Sequence, residues 1–330
     1  MYISRITPLL FKSRIIDSHA HVGTHDGKLY TKGSLDVFVK SPLPNGDKIE
    51  KMIVSDLDVL HGVKDEFIGN SDTKNALEGD SDYAVLASCN PANGNIENIK
   101  KLFQENPNSF VGLKFHPTFQ QISPLDSQYE PYYKFAEKYK LPCLFHTAVN
   151  VDENGILLSN KEPYSDPEFI YKAAKKYPKI PFVLAHMGSG WNQAHDKAIN
   201  ILLESIRNND ANLYADISWV DIDNPQIEEH SPKEHIVKAI KELKGIDNPN
   251  WPYGDQSFRL LFGTDVPLAR FHDWTYPEAI KDYAKFVDDI KFAIRNDNAL
   301  KENSEKIIED LFCNNAKKLY LKAKKRIKII

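Results

Sequence analysis

Two histidines one residue apart, His19 and His21, follow the apolar start of the run Arg14–Ala20 (RIIDSHA). If that run is a strand, residues two apart point to the same side, so both imidazoles project together and can share one divalent cation. Neutral imidazole is a common ligand for zinc and related metals. Four more apolar runs carry or adjoin a residue able to join such a site. They place Lys114 in Phe110–His116 (FVGLKFH), His146 in Leu141–Thr147 (LPCLFHT), His186 in Pro181–Met187 (PFVLAHM) and Asp265 just after Arg259–Thr264 (RLLFGT). Singly, each has a plain structural reading, as a satisfied core histidine or a helix cap. Six such residues near the C-terminal ends of strand-like runs point instead to a metal site.

Elements must hold those ends together. Three further runs, Lys51–Asp56 (KMIVSD), Tyr83–Cys89 (YAVLASC) and Leu213–Ser218 (LYADIS), complete a set of eight. Their near-continuous apolar character predicts strands buried on both faces. Between them, Asn95–Glu105, Glu130–Tyr139, Asp166–Tyr177 and Gln193–Arg207 read as helices, and after the last run Tyr276–Asn296 and Leu300–Lys325 do so too. Eight buried strands alternating with helices predict an α/β fold, a single (β/α)₈ TIM barrel with C-terminal helices; an open doubly wound sheet is the alternative. One domain is expected over residues 1–330, with barrel strands across roughly 14–265 and terminal helices across 276–325. The longest non-periodic stretches, Val22–Asp47, Ala148–Glu162, Val220–Pro232 and Val266–Trp274, all follow strand ends. That is the face on which barrel active sites are built.

The chain has 330 residues, 42% hydrophobic and 27% charged, the balance of a soluble globular protein. Three cysteines, Cys89, Cys143 and Cys313, suit reduced thiols and a cytoplasmic setting. Cys89 is read as a small buried residue, since no activating histidine partner is evident. A net charge of −4 gives no whole-molecule attraction for nucleic acid or an anionic membrane. The basic residues from Lys317 to Lys328 fit a solvated last helix. No secretory leader and no apolar run of membrane-spanning length are read. The expected partner is a small-molecule substrate, and symmetric pairing into a homodimer is a fair prior for such barrels.

The ordered set Asp17-Ser18-His19-Ala20-His21, Gly112-Leu113-Lys114-Phe115-His116-Pro117, Leu144-Phe145-His146-Thr147, Ala185-His186-Met187-Gly188 and Phe262-Gly263-Thr264-Asp265 resembles the amidohydrolase superfamily. It is most similar to the branch that includes aminocarboxymuconate-semialdehyde decarboxylase, and Leu311-Phe312-Cys313-Asn314-Asn315-Ala316 resembles that branch's terminal helix. The resemblance spans roughly residues 14–320. It implies a metal, usually zinc, held by His19, His21, His146 and Asp265, with His186 beside the metal-bound water. In binuclear relatives His186 would bind a second ion, and a carboxylated Lys114 would bridge the two; one ion is favoured here. The Lys114 setting also resembles dihydroorotases. TatD-type nucleases share the barrel but carry a Glu after the third strand, where this chain has Ser88-Cys89-Asn90-Pro91.

The chemistry implied is hydrolysis of an amide, ester or lactone in a small, carboxylate-bearing molecule. Asp265 would take the proton of a metal-activated water, and His186 would orient it. A non-oxidative decarboxylase of the same fold is the alternative, and a catalytically silent metal-binding barrel the third reading. His116, Trp191, Trp219 and Arg270 are the candidate substrate contacts, with ordinary packing or surface roles equally open, as for His195.

Overall fold

The computed structural model describes residues 13–148, 164–188, 192–218, 232–244, 258–267 and 276–321. Its strands are β1 (Arg14–His25), β2 (Lys28–Tyr30), β3 (Lys48–Asp56), β4 (Tyr83–Ser88), β5 (Phe110–Phe115), β6 (Cys143–Phe145), β7 (Phe182–Leu184), β8 (Leu213–Asp216) and β9 (Leu260–Leu261). The helices are α1 (Lys32–Val39), α2 (Leu57–Leu60), α3 (Glu66–Leu77), α4 (Ile96–Glu105), α5 (Pro117–Gln120), α6 (Glu130–Tyr139), α7 (Pro167–Lys176), α8 (Asn192–Asn208), α9 (Pro232–Lys244), α10 (Tyr276–Asn296) and α11 (Ser304–Glu309). Apart from β2, which pairs antiparallel with β1, the strands run parallel in chain order from β1 and β3 to β9. Each predicted strand run overlaps one of these eight, with β1 running past its run to His25 and β3 starting before its run at Lys48, the TIM-barrel arrangement.

The first and last strands meet through individual backbone bonds. Ser18 N–H donates to Phe262 O (2.9 Å), Asp265 N–H to His19 O (2.8 Å) and His21 N–H to Val266 O (2.8 Å). A bridge pairs Ala20 with Val266. This seam carries the His-x-His pair on one side and Asp265 on the other.

Side-chain alternation divides the core in two. Ile16, Ile53, Leu86, Leu144, Val183, Tyr214 and Leu261 form one buried cluster inside the strands, while Val54, Val85, Leu113, Phe145, Phe182 and Leu213 pack outward against the helices. Cys313, Ala316, Leu319 and Tyr320 of the C-terminal segment join the inner cluster. Asn315 anchors that segment by donating from Nδ2 to the carbonyls of Phe258 (3.0 Å) and Leu260 (2.9 Å), the lead-in to β9. Side-chain caps start the helices where the chain leaves a strand or loop: Asp65 for α3, Asn95 for α4 and Asp166, followed by Pro167, for α7.

Two expectations are corrected. The stretch Val22–Asp47 is not an unstructured loop, because β1 continues to His25, turns through Asp26 and Gly27 at positive φ, returns as β2 and leads into α1. The segment Leu300–Lys325 is not one continuous helix: α11 gives way to wide π-type turns through Leu321, which seat Cys313 and Tyr320 on the barrel interior. Among the described residues no helix is long and apolar enough to cross a membrane.

Candidate metal centre

Inward-facing positions change character along each strand. Ile53, Leu86, Leu144 and Tyr214 fill the interior, and two residues onward on the same face stand Ser55, Ser88, His146 and Asp216. Polar groups therefore gather in one layer at the C-terminal ends of the strands. His19, His21, Lys114, His186, Asp216 and Asp265 are all buried in it, and His146 is half-buried at its edge.

At the seam three ligand atoms converge. His21 Nε2 lies 3.0 Å from His19 Nε2 and 2.9 Å from Asp265 Oδ1, and His19 Nε2 lies 3.3 Å from the same oxygen. Ligands about 2.0–2.1 Å from a tetrahedral ion stand about 3.3 Å apart, so this spacing and this donor set, two imidazoles and a carboxylate, fit a divalent metal. A second group able to hold an ion is His19, His186 and Asp216. Lys114 Nζ donates to His19 Nε2 at 2.9 Å. His146 joins neither group; its Nδ1 lies 3.2 Å from His186 Nε2, and its ring stacks on His116 at 3.8 Å. His116 stacks in turn on Phe119 at 3.7 Å, so it forms part of the wall beside His146. His195 sits behind the site, its Nδ1 3.2 Å from Met187 O. Trp191, Trp219 and Arg270 lie outside the described residues.

Burial keeps the imidazoles neutral. It lowers His19 and His21 below the usual histidine range, His146 and His116 well below it, and His186 to about 3; the Lys114 ammonium adds to the effect at each. Burial also brings Lys114 itself down to about 8, against the pull of Asp265 and Asp216. The two carboxylates resist burial because His19 and its neighbours favour their charged form, which holds Asp265 and Asp216 below the ordinary range.

Four supporting residues were not singled out from the sequence. Asp216 Oδ2 and Ser218 Oγ each lie 3.0 Å from His19 Nδ1, Ser218 Oγ lies 2.8 Å from His186 Nδ1, and Ser55 Oγ lies 2.9 Å from His21 Nδ1. Asp17 accepts from His19 N–H (3.2 Å), Thr264 N–H (3.1 Å), Thr264 Oγ1 (2.6 Å) and Tyr283 OH (3.1 Å), clamping β1 to the segment before Asp265. The signal for Asp216 and Ser218 was their shared inward parity with Tyr214. Backbone strain marks the same layer. His186 (φ 62°), Met187 (φ 47°) and Asp265 (φ 65°) occupy the left-handed region, a cost that functional sites commonly carry.

A parallel α/β barrel with histidines, a lysine and an aspartate gathered at its strand ends is the architecture of a metal-dependent hydrolase or lyase. The sequence places it further: residues 104–322 match the amidohydrolase family, and the chain belongs to that family, as an enzyme of the amidohydrolase superfamily. Solved structures share the fold. An amidohydrolase from Burkholderia multivorans with bound zinc is 13% identical, with a TM-score of 0.56 over 94% of this chain and 99% of that one. A 5-carboxyvanillate decarboxylase from Novosphingobium aromaticivorans, complexed with manganese and 4-hydroxy-3-methoxy-5-nitrobenzoic acid, is 12% identical, with a TM-score of 0.53 over 93% and 96%. A 4-oxalomesaconate hydratase from Rhodopseudomonas palustris is 16% identical, with a TM-score of 0.50 over 95% and 98%. No curated protein matches the chain.

Proposed function

We propose that this enzyme hydrolyses an amide, ester or lactone bond in a small, carboxylate-bearing molecule, with one zinc ion held by His19, His21, His146 and Asp265. The observation that carries the reading is the meeting of His19 Nε2, His21 Nε2 and Asp265 Oδ1 within 3.3 Å across the seam. A divalent cation there supplies Lewis acidity, lowering the pKa of a water to about 7 or polarising a carbonyl. Asp265, kept ionised, accepts the proton of the attacking water and returns it to the leaving oxygen or nitrogen. Lys114, buried to 1% exposure, offers its N–H groups to an anionic substrate group.

Decarboxylation is the second reading, favoured by the fold shared with the manganese-bound 5-carboxyvanillate decarboxylase. The test is a metal count by plasma mass spectrometry, followed by a panel of lactones, amides and aryl carboxylates assayed for acid release and for carbon dioxide. Chelator-sensitive acid release with one ion per chain is the expected result. Carbon dioxide release would transfer the assignment to the lyase. A loaded protein silent on both assays would leave a binding barrel.

A further inference from the structure

Hydrogen-bond direction around Asp216 determines where the imidazole protons sit. The Asp216 carboxylate receives four donors: His186 N–H (3.0 Å) and Ser218 N–H (3.0 Å) on Oδ1, the Ser218 hydroxyl in close contact on Oδ1, and His19 Nδ1 on Oδ2 (3.0 Å). A carboxylate only accepts, so His19 carries its proton on Nδ1 and leaves Nε2 bare. Lys114 agrees, because its ammonium only donates and it points at that same Nε2. The Ser218 proton is spent on Asp216. Ser218 Oγ can then only accept from His186 Nδ1, which puts that proton on Nδ1 and leaves His186 Nε2 bare as well. His146 Nδ1, 3.2 Å from that lone pair, must be the donor, and its own Nε2 is bare in turn.

We propose that Asp216 is the positioning residue of the centre: directly at His19, and through Ser218 and His186 at His146, it fixes the Nδ1–H tautomer and leaves the Nε2 atom of each of these two rings bare for a ligand role. The proposal rests on the metal-centre reading above and adds a division of labour to it. His19 and His146 become ligands, whereas His186 acts as the acceptor that orients His146. Carboxylate support of a ligating imidazole both locks the ring and raises its basicity.

The variant Asp216→Asn separates this role from simple packing. The Oδ1 position faces two backbone N–H groups and a hydroxyl, so the amide oxygen must take it. The amide NH₂ is then turned against His19 Nδ1–H, and this donor–donor clash outweighs the one remaining acceptor, Ser218 Oγ at 3.0 Å, and drives His19 to the Nε2–H form. The Ser218–His186–His146 chain is left intact.

The experiment uses the full chain labelled with ¹⁵N-histidine, with two-bond ¹H–¹⁵N spectra of the metal-free protein and zinc affinity measured by chelator competition. The His19 signal is assigned by its loss in His19→Gln. The native protein should show His19, His186 and His146 as Nδ1–H tautomers. Asp216→Asn should switch His19 alone and weaken zinc binding about 10–100-fold. Ser218→Ala should release His186 and His146 and remove one contact of His19, which nevertheless stays Nδ1–H because Asp216 Oδ2 still accepts that proton. Native His19 protonated on Nε2, or Asp216→Asn binding zinc as tightly as native, would overturn the proposal. The native spectrum decides the matter even if a variant does not fold. Because neither readout involves turnover, a chain that hydrolysed nothing would refute the proposed reaction and leave this assignment standing.

Discussion

Gly263→Ala tests the geometry of the seam. A Cβ at position 263 would sit 3.0 Å from His19 Cβ, 3.4 Å from Ser18 Oγ and 3.5 Å from His19 N. Carbon atoms pack best at about 3.5–4.0 Å, so the nearest contact is too short by at least about 0.5 Å. His19 cannot simply rotate away, because Cβ lies on its main-chain branch and its backbone is bonded to Asp265 N–H and to Asp17. The imidazole must therefore move with the backbone. Metal sites tolerate ligand displacements of about 0.2 Å, so a shift of this size should weaken zinc binding about tenfold or more.

The stability cost is smaller. Overpacking costs about 1–3 kcal/mol, and Gly→Ala returns about 0.4–1 kcal/mol through the unfolded chain, for a net loss of about 1–2 kcal/mol. For 330 residues the unfolding entropy is about 0.7 kcal/mol/K, so Tm should fall by about 1.5–3 °C. Chelator competition reads the first effect and metal-free thermal melts the second. A variant with zinc affinity within twofold of native would refute the claim that Gly263 sets the position of His19.

Three further outcomes follow from the same structure. Zinc at 100 times its dissociation constant should stabilise the native state by about 2.7 kcal/mol and raise Tm by about 4 °C, and His21→Ala should abolish that rise. Burial lowers His195 from 6.5 to about 4, so its neutral form stabilises the fold fully above pH 6.5 and progressively less as pH falls toward 4. Between pH 7 and pH 5 the native protein should lose about 2 kcal/mol more unfolding free energy in urea than His195→Gln; equal losses would sink that assignment. Asn315→Ala deprives the carbonyls of Phe258 and Leu260 of their donor and should cost about 1–3 kcal/mol, while chelator competition finds zinc affinity unchanged because the strand ends that carry the site lie at the opposite end of the barrel.

The strands were legible because burial on both faces leaves runs such as YAVLAS and FVGLKF without alternation. The helix α3 was not. Its buried face, Glu66, Gly69, Asn70, Thr73 and Leu77, keeps helical spacing but is built almost wholly of polar and small residues. Asn70 bonds the carbonyl and N–H of Ser88, and Gly69 lies against Val59, so this helix docks through hydrogen bonds and close approach rather than an apolar stripe. Within the site, His19, His21 and Asp265 were legible from strand-end position. Asp216 was not, because an aspartate ending a strand has many ordinary uses, and its role depends on a partner 197 residues away.

His146 shows why strand-end position and ligand geometry are separate questions. It stands on the inward face of its strand, two residues after Leu144, as the alternation requires. Yet it meets His186 rather than the His19–His21–Asp265 group. His186 can occupy that intermediate place because residues 186–188 all take positive φ, turning the chain back over the strand end, where His186 N–H and Ser218 N–H converge on one oxygen of Asp216. The turn thus depends on the same carboxylate that orients His19. Removal of both oxygens, as in Asp216→Ala, should therefore be felt on both sides of the site, unlike Asp216→Asn, whose amide oxygen keeps the Oδ1 contacts. A change at Ser55, which touches only His21 Nδ1 among these imidazoles, should instead remain confined to the seam.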